Sequence, residues 1–388
     1  MTLGRVIVNK KGEVRIERGH PWVFRSDVVR ENGALPGAIV QVLGTRDRPL
    51  GFAFYSSRSE IRLRMIAHGE SLPPNLVRDR IKQAIGWRET VAPGSEAHRL
   101  VHGEGDGIPS LVVDRYGEYL VVQTLSQGTE ALKGEIVAAL VEELHPLGIL
   151  ARNDPKVRAL EGLEQEVGLL HGTVPESVVV REGEIRFAID PWKGQKTGMF
   201  LDQRENHLVA RTYARGRVLD GFTYDGGFAL QVAGEARTVL AVDLSADALA
   251  RVRTNAERNG ITNVETRDAN VFDLLHELAK AGEKFDTVIL DPPAFAKSKG
   301  AVEKARRGYK EINLRALKLL SPGGILVTCS CSYHVHEADL EEILAEAARD
   351  AGATVTVVEK RRQARDHPVV LGVPETYYLK CFVLRRLA

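Results

Sequence analysis

Two short segments carry the residue types that could do chemistry: Asp291-Pro292-Pro293-Ala294-Phe295 and Thr328-Cys329-Ser330-Cys331-Ser332, each closing an apolar, strand-like run. In the first, Pro292 and Pro293 stiffen the backbone, so that Phe295 can stack on a planar base while Asp291 accepts hydrogen bonds from an amino group or ring N–H. The second brings a thiol to the same edge. Carbon 5 of a pyrimidine is a poor nucleophile, and a thiolate added to carbon 6 turns it into an enamine-like centre able to take a methyl group. Were an exocyclic amine the acceptor, the Asp-Pro-Pro turn would suffice and no thiol would be needed. A reactive thiol also needs a partly exposed, electropositive setting, for which His334 and the basic run 297–310 are the nearby sources. Cys329 and Cys331 are two residues apart and share a strand face, so spacing does not choose between them.

These segments need a sheet to hold them. Runs at 217–220, 238–243, 286–290 and 324–328 are short and apolar, and helical spacing fills 246–259 and 301–320 between them. That alternation predicts a doubly wound α/β sheet. Two further strand candidates, 353–359 and 376–384, suit a closing hairpin.

In such folds ligands bind beyond the carboxyl ends of the strands, where Asp220, Asp243, Asp268 and Asp291 fall. Asp243 suits a ribose diol, and Asp268-Ala269-Asn270 suits the border of an adenine. The first loop leads to Gly226-Gly227, but Phe222 and Tyr224 stand where a dinucleotide fingerprint requires small residues. Pyrophosphate is therefore disfavoured, and a phosphate-free cofactor, S-adenosylmethionine, fits better. Just upstream, the segment 193–206 is dense in hydrogen-bonding groups, among them Thr197, Asp202 and Arg204. It suits the wrapping of a polar ligand, with Gly198 ahead of Phe200 admitting the methionine end. A solvated loop entering a helix capped by Asp202 is the plainer alternative.

Composition bounds the rest. The 388 residues are 44% hydrophobic and 27% charged, as in soluble globular proteins of two or three domains. The 53 Lys and Arg against 52 Asp and Glu leave a net +1, so a nucleic-acid surface has to be a local patch. Three cysteines make no disulfide framework. No signal peptide or membrane-length apolar run is evident, and a cytoplasmic protein without a metal or membrane partner is expected. Short alternating strands near the N-terminus suggest a small barrel. Between them Trp22 and Phe24 sit among basic residues, where they either plug the barrel or form an RNA edge with Lys10, Arg15 and Arg25 meeting phosphates. A second basic run, including Lys297, Arg306 and Arg307, follows the substrate turn and suits phosphate contact. A base held in a helix cannot reach a thiol, so an RNA substrate is single-stranded, looped or flipped out. The division expected is a barrel at 1–72, a linker helix and α+β middle domain at 73–190, and the doubly wound domain at 191–388.

The set Gly194-Gln195-Lys196-Thr197-Gly198 with Asp202-Gln203-Arg204, Asp220-x-Phe222-x-Tyr224-x-Gly226-Gly227-Phe228, Asp291-Pro292-Pro293-Ala294-Phe295, Ser330-Cys331-Ser332 and Asp366-His367-Pro368 resembles the bacterial ribosomal RNA large subunit methyltransferase I family. The resemblance spans essentially the whole chain. It implies a PUA domain (an RNA-binding barrel), a small middle domain and a class I methyltransferase domain. The activity it implies is formation of 5-methylcytosine in 23S rRNA, on naked RNA or on a large-subunit assembly intermediate. The family's thiol nucleophile falls on Cys331, and Cys329 falls on a position that need not be cysteine. Ala294 stands where many RNA cytosine-C5 enzymes carry a second cysteine, so the group that takes the carbon-5 proton stays unassigned. An amino-group RNA methyltransferase and a non-catalytic RNA-binding factor are the alternatives. The oligomeric state is left open, a homodimer included.

Overall fold

A computed structural model describes residues 3–296 and 299–387. The chain divides into two compact units, Met1–Val180 with Ile189–Leu201 and Arg365–Thr376, and Arg181–Ala188 with Asp202–Ala364 and Tyr377–Ala388.

The first unit holds a six-stranded sheet, built from Gly4–Val8, Trp22–Phe24, Val28–Asn32, Ile39–Leu43, Pro49–Tyr55 and Ile61–His68, around a core of Val6, Val23, Val40 and Leu63. The strands at Trp22 and Val28, and a helix at Lys10–Glu17, are additional to those legible in the sequence. That helix breaks the alternation because Asn9 caps it, its side chain accepting from the Gly12 amide at 2.9 Å. A helix, Leu76–Val91, follows, then a five-stranded sheet at Ala97–His102, Leu111–Tyr116, Tyr119–Thr124, Gly148–Asn153 and Glu166–Gly172. Phe52, Phe54 and Ile66 of the first sheet share one apolar core with Ile81 of the helix and Leu111, Val122 and Ile149 of the second. The strands Val178–Glu182 and Ile185–Ile189 form a separate two-stranded hairpin.

The second unit holds a seven-stranded sheet. Its strands are β1 (Gly216–Gly221), β2 (Ala236–Asp243), β3 (Val264–Asp268), β4 (Phe285–Leu290), β5 (Leu320–Ser330), β6 (Val355–Arg362) and β7 (Lys380–Arg386), in the order β3-β2-β1-β4-β5-β7-β6. Strands β1 to β5 run parallel and β7 is inserted antiparallel between β5 and β6. The helices are α1 (Arg204–Tyr213), α2 (Gly227–Val232), α3 (Ala246–Arg258), α4 (Val271–Lys280), α5 (Val302–Leu319) and α6 (Glu337–Asp350). Because β4 and the end of β5 are covered on both faces, they read as continuous apolar runs. On one face Leu219, Val242, Val288, Leu290 and Leu326 pack with Leu274 of α4, Ile312 of α5 and Ile343 of α6. The order of strand addition reverses between β1 and β4, which pair parallel, and this brings Asp220 and Asp291 to the same edge.

Candidate active site

The loop after β1 is held in a conformation its side chains resist. Phe222 and Tyr224 have φ of 68° and 51°, and Gly226 has φ of 88°. The left-handed region costs a residue with a Cβ about 1–3 kcal/mol, and such strain gathers at ligand sites. Surrounding bonds enforce it. Asp243 at the end of β2 accepts the Tyr224 amide and the Ser245 amide, each at 2.9 Å. The Arg251 guanidinium lies 5.1 Å over the Tyr224 ring. Beneath the loop, Asp220 Oδ2 accepts from Thr223 Oγ1 at 2.6 Å and from the Ala229 amide at 3.0 Å. Asp220 Oδ1 is buried and has no hydrogen-bond partner. Burial pushes the Asp220 and Asp225 carboxyls up to about 7.

Gly227 is set by His207. A Cβ there would lie 2.5 Å from the imidazole, which packs edge-on against Phe228 with 4.5 Å between centroids and shares a 2.8 Å hydrogen bond with Glu182. Burial works against charging His207, but the Glu182, Asp291 and Asp225 carboxylates together outweigh it and the net shift is upward. His207 was not singled out in the sequence, where a lone histidine in an amphipathic helix carries no signal.

The second part of the site joins β4 to β5. Asp291 follows β4, its amide donating to Gly221 O at 3.4 Å. Pro292 is buried and Pro293 exposed. Ser332 ties the turn to the end of β5: its hydroxyl accepts from the Ala296 amide at 3.1 Å and bonds the Tyr309 hydroxyl at 2.9 Å. The half-buried Cys331 thiol donates to Pro292 O at 3.9 Å. Phe295 is half-buried, its ring against Phe272 at 5.7 Å and Tyr309 at 4.6 Å between centroids, so packing already uses part of the surface expected to stack on a base.

Structure separates the two cysteines that spacing could not. Cys329 is fully buried inside β5 opposite Cys381 of β7, and burial pushes its thiol well above the usual range. Cys331 lies one residue past the strand. Next to it is a residue absent from the sequence reading: Lys380, 1% exposed, opposite Ser330 in register, its Nζ donating to Ser332 O at 2.7 Å and Tyr378 O at 3.0 Å. The available signal was a single lysine inside the run Leu379-Lys380-Cys381-Phe382-Val383.

Asp202 accepts from Tyr378 Oη at 2.9 Å, and Arg204 is buried at the start of α1. Asp268 and Asn270 are exposed, and Asn270 caps α4 by accepting the Phe272 amide at 2.9 Å. Thr197, Gly198 and Phe200 belong to the first unit. There the Thr197 hydroxyl is buried, donating to Asp114 Oδ2 at 2.6 Å and bonded to Tyr116 Oη at 2.9 Å. Lys297 lies outside the described residues. Arg306 is ion-paired with Asp339 and Glu342 of α6, and Lys310 with Glu346 and Asp350. The acids that neutralise this run are supplied by another helix and were invisible along the chain. Lys10 pairs with Glu13 and Arg15 with Asp27, while Arg25 and Arg307 are exposed.

The donor set suits S-adenosylmethionine. Asp220 Oδ1 offers a buried acceptor at the β1 edge, and each Asp243 oxygen keeps a second lone pair for a ribose hydroxyl. Among the described residues no group of His, Cys, Asp and Glu could hold a metal ion, and no helix is long and apolar enough to cross a membrane. Comparison with known proteins agrees with this geometry. The S-adenosylmethionine-dependent methyltransferase profile matches residues 163–385, and a PUA-like domain profile matches residues 6–68. The ribosomal RNA large subunit methyltransferase I of Salmonella arizonae is 39% identical, covering 98% of this chain and 97% of its own. The protein of that name from Aliivibrio fischeri is also 39% identical, covering 98% of each. A solved structure from Streptococcus mutans, provisionally assigned as a SAM-dependent methyltransferase, shares the fold with a TM-score of 0.83 at 22% identity, covering 99% of this chain and 100% of its own. A solved chain with the same scores is complexed with SAH. With a strained, acid-lined loop after β1 and family profiles over both ends, the chain belongs to the ribosomal RNA large subunit methyltransferase I family of S-adenosylmethionine-dependent methyltransferases.

Proposed function

We propose that this protein methylates carbon 5 of a cytosine in 23S rRNA, with Cys331 as the nucleophile. The observation that carries the reading is the partly exposed Cys331 thiol beside the Pro292 carbonyl, one residue beyond β5, where Ser332 joins strand and turn. The curated relatives are named for large-subunit ribosomal RNA, and a PUA-like profile at the N-terminus fits an RNA substrate.

S-adenosylmethionine supplies the methyl group and leaves as the neutral thioether. The Cys331 thiolate forms a bond to carbon 6, and the displaced electron pair makes carbon 5 nucleophilic. Asp291 holds the N3 and N4 edge of the base, and the Pro292-Pro293 backbone keeps it against the thiol. Once carbon 5 carries the methyl group, water takes its proton, the C–H electron pair restores the carbon 5–carbon 6 double bond, and the carbon 6–sulfur bond breaks to release the Cys331 thiolate. Asp220 and Asp243 hold the cofactor, Asp243 at the ribose, with Asp268 and Asn270 bordering the adenine. Exposed Arg25 and Arg307 meet RNA phosphates.

The test is adduct formation with 23S rRNA fragments containing 5-fluorocytidine, in the presence of S-adenosylmethionine, read on a denaturing gel. Fluorine at carbon 5 blocks the final elimination. An adduct that survives Cys329→Ala and vanishes in Cys331→Ala is expected. A fragment that is methylated without forming any adduct would overturn the thiol mechanism in favour of an exocyclic amine held by the Asp291 turn.

A further inference from the structure

We infer that Lys380 is a positioning residue whose buried ammonium, anchored on the carbonyl of Ser332, holds Cys331 as a thiolate before the base arrives. The inference rests on Cys331 being the nucleophile.

A lysine is almost never fully buried without a charged partner, yet Lys380 is 1% exposed and its hydrogen bonds go to two carbonyls, Ser332 O and Tyr378 O. Carbonyl dipoles orient an ammonium but do not neutralise it. A charge left in that setting interacts strongly with any ionisable neighbour, because the surroundings screen it poorly. Of the anionic groups that act on Lys380, the Cys331 thiolate ranks ahead of Asp339 and Glu337 of α6. Geometry explains the order. Lys380 stands opposite Ser330 in the β5–β7 register, so its side chain reaches beyond the strand end to the residue that follows Cys331. The coupling is reciprocal: the ammonium favours the thiolate as much as the thiolate favours the ammonium.

Among the described residues, other titratable groups near this strand end have partners of their own, the His334 ring packing edge-on against Tyr333 with 5.1 Å between centroids. Asp291 beyond β4 acts on neighbouring Cys329, and the Tyr309 hydroxyl of α5 is bonded to Ser332. Tyr377 donates to Glu337 and Tyr378 to Asp202. Carboxylates near a thiol oppose its ionisation, and the basic residues Arg306 and Lys310 are tied to acids of α6. The Lys380 ammonium stands at this strand end, on the carbonyl of the residue that follows Cys331. Burial lowers its own pKa to about 8, so the ammonium is present at neutral pH and lost as the solution becomes alkaline.

Alkylation of the whole protein by iodoacetamide, followed against pH without RNA or cofactor, reads the thiolate directly. Cys329 and Cys381 are buried, and Cys331→Ser serves as the blank for the reacting thiol. The wild-type midpoint is expected below the roughly 8.5 of a free thiol. Lys380→Met should raise it by about one unit or more, and Lys380→Arg should restore it in part. The rate of fluorocytidine adduct formation at neutral pH should fall about tenfold in Lys380→Met and recover as pH rises. An unshifted midpoint in a Lys380→Met protein of native circular dichroism would overturn the inference. If that variant does not fold, a wild-type midpoint at or above the free-thiol value does so alone. Methylation by Cys331→Ala would sink the nucleophile assignment instead, and the alkylation midpoints would still report on Lys380.

Discussion

The Cys331 thiol lies 3.9 Å from the carbonyl oxygen of Pro292, which couples the end of the fifth strand to the turn after the fourth. Two positions earlier, Cys329 is sealed between β5 and β7. A thiol in an apolar layer behaves as a small hydrophobe, whereas one past a strand end reaches solvent. Cys331→Ala should therefore reduce methylation of a 23S rRNA fragment by a factor of about a thousand or more, the loss of a group that forms a bond. Cys329→Ala should retain activity and lower stability by about 1–2 kcal/mol. Methyl transfer from labelled S-adenosylmethionine, with urea melts alongside, distinguishes the two.

Gly227 is required by the His207 ring, not by its own backbone. Adding a Cβ in Gly227→Ala places a methyl 2.5 Å from the imidazole, and overpacking of this kind costs about 1–3 kcal/mol. The expected outcome is a lower denaturant midpoint together with weaker cofactor binding, because α2 begins at this residue and its Ala229 amide fastens Asp220. Calorimetric titration with S-adenosylhomocysteine checks the second effect.

Cofactor binding should be linked to a proton. Burial holds the Asp220 carboxyl at about 7, up from its ordinary value near 3.8. The folded chain therefore retains this proton where an unfolded chain has lost it, so the contribution to stability is full below about pH 4 and lost as pH rises through about 7. A sulfonium and ammonium brought near the carboxylate stabilise its ionised form. Binding should release a proton near pH 6.5 and weaken as pH falls from about 7. Binding heats in buffers of different ionisation enthalpy measure the release, which Asp220→Asn should abolish.

Basic residues that look alike in sequence should differ against RNA. Arg307→Glu, at an exposed position, should weaken binding and flatten the dependence of log K on log salt by roughly one. Arg306→Gln instead breaks pairs with Asp339 and Glu342, and should cost less than about 1 kcal/mol of stability with little change in salt slope. Filter binding across a salt series checks both.

Much of this protein is set by its local chemistry. Apolar runs buried on both faces announce β1, β2, β4 and β5; the Asp-Pro-Pro turn and the cysteine pair announce a reactive edge; and Phe222 and Tyr224 argue against pyrophosphate, all because strand burial, turn rigidity and side-chain size are properties of neighbours in the chain. What required the tertiary structure is whatever depends on residues far apart meeting. The insertion of β7 beside β5 seals Cys329 against Cys381 and brings Lys380 to Ser332 across 48 positions. The acids of α6 neutralise Arg306 and Lys310 from outside their own segment. The left-handed φ of Tyr224 is held by Asp243, whose carboxylate accepts the Tyr224 amide 19 residues away. Burial and charge at a site are sums over everything packed around it, and a linear chain carries that sum only once it has folded.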